Sequence, residues 1–201
     1  MARFVKLIIE ARPKDDVARK VAFTRQLAEE GSAPAMVLFG DMHVSGWGVK
    51  RDYAEALRLY RSAADLGDPS ATNSVGVVFA EGQGVAKNPK ESLLWFHKAA
   101  LLGDLSALRN IAYALDNGLS VDLDADKAAR LMFLSLASGR EESYSDLQKS
   151  TTPWSKDFRI ALQRLMLGTG LYSGPVDGDL ARTIPSIKTL VERRPRVPSN
   201  T

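Results

Sequence analysis

The sequence contains no cysteine, which excludes disulfide bonds, thiolate metal sites and cysteine nucleophiles and leaves the redox compartment open. No apolar run approaches the ~20 residues that span a bilayer, so we expect no membrane span. The N-terminal MARFVKLIIEAR begins like a signal peptide, but Lys6 and Glu10 interrupt it and no small-residue cleavage site follows. As written, the sequence predicts a cytoplasmic protein. A truncated or mis-assigned N-terminus would instead place it in the periplasm or cell envelope.

Motifs for catalysis and for nucleotide or metal binding are also missing. There is no G-x-S-x-G elbow, and the glycine turn at residues 82–84 lacks the G-K-[ST] of a phosphate loop. His43 and His97 do not have the H-E-x-x-H spacing. The run VDLDADK (121–127) begins like a calcium loop, but Lys127 stands where that loop requires glycine. We therefore expect no enzyme activity, no metal and no cofactor.

Charge is nearly balanced, with a net value of +3 from 27 Lys and Arg against 24 Asp and Glu. Such a small excess gives no strong field toward nucleic acid, so we expect no nucleic-acid partner. Residues 156–201 hold 8 basic and 4 acidic side chains. A solvated, basic C-terminal end accounts for this excess.

Small and apolar residues recur every 36 positions along most of the chain. In register are Gly31, Gly67, Gly103 and Gly139; Gly46, Gly82 and Gly118; Ala35, Ala71 and Ala107; and Leu59, Trp95 and Leu131. A fixed period of this length is typical of a solenoid. Each unit reads as two helices: the first ends at a glycine, and the second begins after Asp52, Asn88 or Asp124, which are good N-caps. The glycine turn at residues 82–84 therefore joins two helices. His43 occupies an apolar position of the repeat, which favours a half-buried, hydrogen-bonded structural histidine.

These residues resemble the Sel1-like repeat family, which is related to tetratricopeptide repeats. The resemblance rests on AMVLFGDMHVSGWGVKRDYAEALRLYRSAADLGD (35–68), ATNSVGVVFAEGQGVAKNPKESLLWFHKAALLGD (71–104) and a weaker third copy, in which Ser120 replaces the second glycine. It implies an all-α fold, a right-handed α-solenoid of helix-turn-helix repeats followed by a small helical module. The expected solenoid covers 14–150, with units 35–67, 71–103 and 107–139 and capping helices 14–30 and 141–150.

A second resemblance begins where the period stops. Leu162-Gln163 and GLYSGPVDG (170–178) are similar to the small peptidoglycan-binding domain of bacterial envelope proteins. The second half departs from that pattern, and Pro185 falls where a helix interior is expected. If Pro185 is a first-turn residue, the last helix simply starts late. We expect this module over 156–194 and a flexible tail over 195–201.

The second resemblance implies glycan contact as one role for the turn, with Tyr172, Ser173 and Asp177 as candidates. An aromatic face such as that of Tyr172 can lie against the apolar face of a sugar. The alternative is a structural role, in which Tyr172 packs on Leu162 or Leu165 and Asp177 bonds nearby backbone groups.

The repeat resemblance implies that the first helix of each pair lines a concave surface. The expected partner-binding residues on that surface are Val37, Asp41, Val44, Asn73, Val77, Glu81, Arg109, Tyr113 and Asp116. Such a mixture suits capture of a peptide segment or helix of a protein partner, although ordinary surface residues look the same.

Three functions are compatible with this sequence. The first is a non-enzymatic bacterial scaffold or adaptor whose C-terminal module touches peptidoglycan. The second is a cytoplasmic scaffold in which that module only caps the solenoid. The third is the regulatory end of a larger enzyme.

Overall fold

The computed structural model describes residues 16–149 and 154–192, and over these ranges it contains helices and no strand. The α-helices are α1 (Asp16–Glu29), α2 (Ala33–Ser45), α3 (Tyr53–Asp65), α4 (Pro69–Glu81), α5 (Pro89–Leu101), α6 (Ser106–Asn117), α7 (Ala125–Ala137), α8 (Glu141–Gln148), α9 (Lys156–Gly168) and α10 (Ile184–Glu192), and a 3-10 turn covers Leu180–Arg182. The predicted tail 195–201 lies outside the described residues, as do the ends of the predicted caps and module at residues 14, 15, 150, 193 and 194.

The all-α, α-solenoid fold class is confirmed, because each of the three predicted repeats consists of two successive helices, α2 and α3, α4 and α5, and α6 and α7. The chain forms two compact units, Met1–Asn88 and Pro89–Thr201. Within the first unit, α2 packs against α1 and α3, and it also lies beside α4. Within the second unit, α6 packs against α5 and α7, and α7 also contacts α8, α9 and α10.

Capping side chains and left-handed glycines determine where these helices begin and end, as the sequence predicts. The carboxylates of Asp52 and Asp124 accept hydrogen bonds from the backbone amides of Glu55 and Lys127, at 3.0 and 2.8 Å. The calcium-like run is thus a turn that leads into a helix cap. Each first helix ends at a left-handed glycine, with φ of 75° at Gly46, 74° at Gly82 and 63° at Gly118. Glycine reaches this conformation without the steric cost that a Cβ imposes.

A large side chain of α3 packs directly on the backbone of α2. A Cβ added to Gly40 would lie 2.6 Å from Cε1 of Tyr60, so only glycine allows this approach. Tyr60 is buried, and so are Phe96 and Met132, which follow it at steps of 36 residues. Burial of a large side chain contributes about 1.5–3 kcal/mol, so the second helix of each repeat has a buried anchor of its own.

The C-terminal module is organised around one buried amide. The Nε2 of Gln163 donates to the carbonyl oxygen of Asp179 at 3.0 Å and to Oγ1 of Thr183 at 3.1 Å. Its Oε1 accepts from the amide of Gly178 at 2.7 Å. Helix α10 begins at Ile184, so Pro185 lies in its first turn, where the missing N–H breaks no helical hydrogen bond. The late start of the last helix is confirmed.

In the described part of the chain, no helix has both the length and the apolar character needed to cross a bilayer.

In the third repeat, Ser120 adopts the left-handed conformation that glycine adopts in the other two repeats. Its φ is 63°, and Gly48 and Gly84 both have φ 69°. We expect Ser120→Gly to raise the free energy of unfolding by about 0.5–1 kcal/mol. Glycine removes the steric cost that a Cβ imposes in the left-handed conformation, and this gain exceeds the loss that comes from the greater backbone entropy of glycine in the unfolded chain. The reciprocal Gly84→Ser should lower it by about 2–4 kcal/mol, because its Cβ would also lie 2.7 Å from Cβ of Tyr53. Urea unfolding measures both. A Ser120→Gly protein that is less stable than the parent would contradict this account.

Candidate interaction site

Within the first unit, six of the predicted partner-binding residues lie on the neighbouring helices α2 and α4. We call this surface the α2–α4 face; it comprises Val37, Asp41, Val44, Asn73, Val77 and Glu81. Asp41 and Glu81 are exposed as whole residues, although one oxygen of Asp41 is partly buried against Tyr60, and the other four residues are half-buried. Because α2 and α4 lie side by side, a chain segment could contact both helices at once.

Asp41 is held in place by the hydroxyl of Tyr60, which donates to its Oδ1 at 2.6 Å. Partial burial raises the pKa of the Asp41 carboxyl above its ordinary value, and the bond from Tyr60 offsets part of that rise. The pKa of Tyr60 is also raised, chiefly by burial and further by its bond to Asp41. Tyr60 is therefore a neutral donor that keeps this carboxylate oriented at the surface.

The three predicted partner-binding residues of α6 contact the chain's own C-terminal residues. Nη1 of Arg109 pairs with Oδ2 of Asp146 at 3.0 Å. The ring of Tyr113 meets that of Trp154 edge to face, with centroids 5.7 Å apart. Asp116 is buried and accepts hydrogen bonds from Ser155, from the amide at 2.8 Å and from Oγ.

Trp154 was not among the candidate site residues, although it joins two parts of the second unit. Its ring is 6% exposed and stacks on that of Phe158 in α9 at a centroid distance of 4.2 Å. It therefore lies between α6 and the start of the C-terminal module. In the sequence, Trp154 follows Pro153 and lies beyond the last 36-residue repeat, so the repeat pattern does not identify the residues that it contacts.

The glycan candidates lie around a shallow cleft in the C-terminal module. This cleft has a volume of about 320 Å³ and is lined by Gly170, Leu171, Tyr172, Ser173, Gly174, Pro175, Arg182 and Ser186. Ser173 is exposed there, whereas Tyr172 is buried and its hydroxyl donates to the carbonyl oxygen of Pro175 at 2.9 Å. Tyr172 thus offers the cleft little of its ring.

Asp177 takes part in a hydrogen-bond network within the same turn. Its Oδ1 accepts from the amide of Asp179 at 2.9 Å, and its Oδ2 pairs with Nη1 of Arg182 at 2.9 Å. The backbone hydrogen bond of Asp179 lowers the pKa of Asp177, and Gln163 and Arg182 lower it further. Asp177 therefore stabilises the turn and orients Arg182, which lines the cleft.

A larger cleft of about 530 Å³ lies between α1, α2 and α3, and no sequence motif predicts it. Its lining includes Phe39, Leu59, Arg25, Arg58 and His43. The half-buried His43 ring packs edge to face on Phe39 at 4.7 Å, and its Nδ1 lies 3.3 Å from the carbonyl oxygen of Lys50. The half-buried position and the hydrogen-bonding contact of His43 agree with the prediction from the repeat register.

No group of three or more His, Cys, Asp or Glu within residues 16–149 and 154–192 is arranged to hold a metal ion.

Loss of the Tyr60 hydroxyl should change how Asp41 titrates. We expect Tyr60→Phe to raise the pKa of Asp41 further, because the hydrogen bond that lowers it disappears. A folded-state pKa above the unfolded value means that any stabilisation from protonated Asp41 is present below the unfolded pKa and is lost as the pH rises through the folded pKa. Carboxyl ¹³C NMR titration measures the shift. Tyr53→Phe is the control, and an unchanged Asp41 pKa in Tyr60→Phe would contradict the assigned bond.

Comparison with known proteins places the repeats in a family. A family model described as Sel1 repeat matches residues 33–68, 69–104 and 105–139. These matches leave the C-terminal module uncovered, and its peptidoglycan-binding resemblance stays a prediction. No match to a curated protein was found.

The solved structures that are similar to this chain include two repeat proteins. A Sel1 repeat protein from Oxalobacter formigenes is 22% identical with a TM-score of 0.56, and the match covers 88% of this chain and 79% of that protein. The protective antigen c5321 of uropathogenic Escherichia coli, which displays an SLR fold, is 24% identical with a TM-score of 0.58, over 88% of this chain and 42% of the antigen. These similarities show the fold alone. Because the family model matches more than half of its residues, the chain belongs to the Sel1 repeat family.

Proposed function

We propose that this chain is a non-enzymatic bacterial scaffold that binds a segment of a protein partner along the exposed sides of its first helices. Sel1 repeat proteins are in general protein-interaction scaffolds. The observation that carries the proposal is on α6, where Arg109, Tyr113 and Asp116 already contact residues of the chain's own C-terminal part. A first helix of this chain is therefore chemically suited to hold a polypeptide segment.

The contacts on α6 combine the three interactions that peptide recognition uses. The Arg109–Asp146 pair gives charge complementarity, the Tyr113–Trp154 contact gives apolar burial, and Asp116 fixes a backbone amide. Hydrogen bonds to a charged acceptor contribute about 1.5–3 kcal/mol, and an aromatic pair contributes about 0.5–1.5 kcal/mol beyond its burial. In the first unit, the α2–α4 face offers exposed carboxylates and valines that an external segment could use in the same way.

Site-specific photo-crosslinking in the source bacterium tests the scaffold proposal. With a photo-reactive phenylalanine analogue in place of Val77, we expect a discrete crosslinked adduct, because Val77 lies within the α2–α4 face. The matched control places the same analogue at Leu66, which is 61% exposed and follows α3 outside that face. Equal crosslinking at both positions, or none at Val77, would contradict partner binding on the first helices.

A second proposal concerns the C-terminal module, which we assign a contact with peptidoglycan at the cleft beside residues 170–175. The exposed Ser173 and the oriented Arg182 support this assignment, because both offer hydrogen bonds to sugar or peptide groups. The packing of α9 and α10 on α7 supports the alternative in which the module only caps the last repeat. Both roles use the same fold, so binding is the property that separates them.

Sedimentation with insoluble peptidoglycan sacculi distinguishes these two roles. We expect the full chain to co-sediment and Ser173→Glu to remain in the supernatant, because the added carboxylate would obstruct the cleft and repel the acidic stem peptides. Ser70→Glu is the control, since Ser70 is exposed near the start of α4 and a carboxylate is tolerated at a helix N-terminus. If the unaltered chain stays in the supernatant, the module acts as a cap.

A further inference from the structure

We infer that the α2–α4 face recognises a partner segment that carries basic side chains, Lys or Arg, among apolar ones. This inference rests on the proposed scaffold function and names the chemistry of the partner. It comes from the charges on the two helices, the surroundings of Asp41 and Glu81, and the contacts that the equivalent face of α6 makes.

The charge of the face has one sign. Neither α2 nor α4 contains a lysine or arginine, and the described cations of the first unit lie on α1, α3 and the turns. Arg51, in the turn after α2, donates to the carbonyl oxygen of Ser45 at 3.3 Å. The exposed charges that α2 and α4 themselves contribute are therefore the carboxylates of Asp41 and Glu81, set among the half-buried valines Val37, Val44 and Val77.

Each carboxylate is bonded to a neutral donor and belongs to an exposed residue. Asp41 accepts from the Tyr60 hydroxyl, and Glu81 accepts from the side-chain amide of Gln83. In the described residues neither of them pairs with a lysine or arginine. Partial burial raises the pKa of Asp41, which is the mark of a carboxylate that has lost solvation and that a nearby cation would stabilise.

The third repeat gives an internal precedent for this recognition. One step of 36 residues relates Asn73 to Arg109 and Val77 to Tyr113. On α6 the charged residues are Arg109, whose partner is the acidic Asp146, and Asp116, which accepts from the amide and hydroxyl donors of Ser155. On α2 and α4 the charges are acidic, so the complementary segment is basic. Charge complementarity of this kind selects the partner more than it sets the affinity.

The test uses the full chain as the immobilised target and a random peptide library displayed on phage as the probe. We expect the selected peptides to be enriched in Lys and Arg alongside apolar residues. Their affinity, measured by fluorescence polarisation with synthetic copies, should fall as NaCl is raised, because exposed ion pairs are screened by salt.

Three variants locate the binding. The isosteric pair Asp41→Asn and Glu81→Gln, combined in one protein, should weaken the selected peptides about tenfold, because two exposed ion pairs are lost. Val37→Arg should weaken them as well, since it adds a cation to the face. Asp65→Asn, which removes an exposed carboxylate at the end of α3, should leave the affinity unchanged. Circular dichroism and thermal unfolding confirm that each variant is folded.

The outcomes separate this inference from the scaffold proposal. Selection of acidic or neutral peptides that bind the α2–α4 face would overturn the inference and leave the scaffold proposal standing. Basic peptides whose affinity is the same for the parent and for the Asn/Gln protein would also overturn it, because they would bind elsewhere. A library from which no peptide is enriched would count against both.

Discussion

The ring of Tyr60 lies on the backbone of Gly40, and this contact determines how closely α3 approaches α2. A single methyl group at Gly40 would lie 2.6 Å from the ring, so the hairpin requires glycine at that position. The same approach brings the hydroxyl of Tyr60 to Asp41, where it donates at 2.6 Å. The packing that holds the first repeat together thus also positions a carboxylate of the α2–α4 face. The packing of this hairpin and the orientation of Asp41 therefore depend on the same side chain.

The first helices of the two units differ in what covers them. On α6, Arg109, Tyr113 and Asp116 contact Asp146, Trp154 and Ser155, so this helix is occupied by the chain itself. On α2 and α4, Asp41 and Glu81 remain at the surface. The same repeated architecture thus has one first helix that contacts the C-terminal residues and two first helices whose carboxylates are exposed.

The C-terminal module depends on Gln163 in a comparable way. Its buried amide bonds Gly178, Asp179 and Thr183, which belong to the turn and the start of the last helix. A leucine at this position would leave the amide of Gly178 without its partner, at a cost of about 1–3 kcal/mol. The matching Leu162-Gln163 motif is therefore explained by architecture, whatever the module binds.

The sequence by itself determined the repeats, the helix ends and the place of His43, because these depend on interactions within a few residues. Asp52 and Asp124 cap helices through amides three positions away, and Gly46 and Gly82 end them by their own backbone freedom. The tertiary structure alone decided that Arg109, Tyr113 and Asp116 contact the chain's own residues. Arg109 and Asp146 lie 37 positions apart, and Asp116 and Ser155 lie 39 positions apart. Asp146 and Ser155 follow the last repeat, so the 36-residue period does not predict where they lie. No local propensity encodes such pairs, since they form only when the chain folds back on the last repeat.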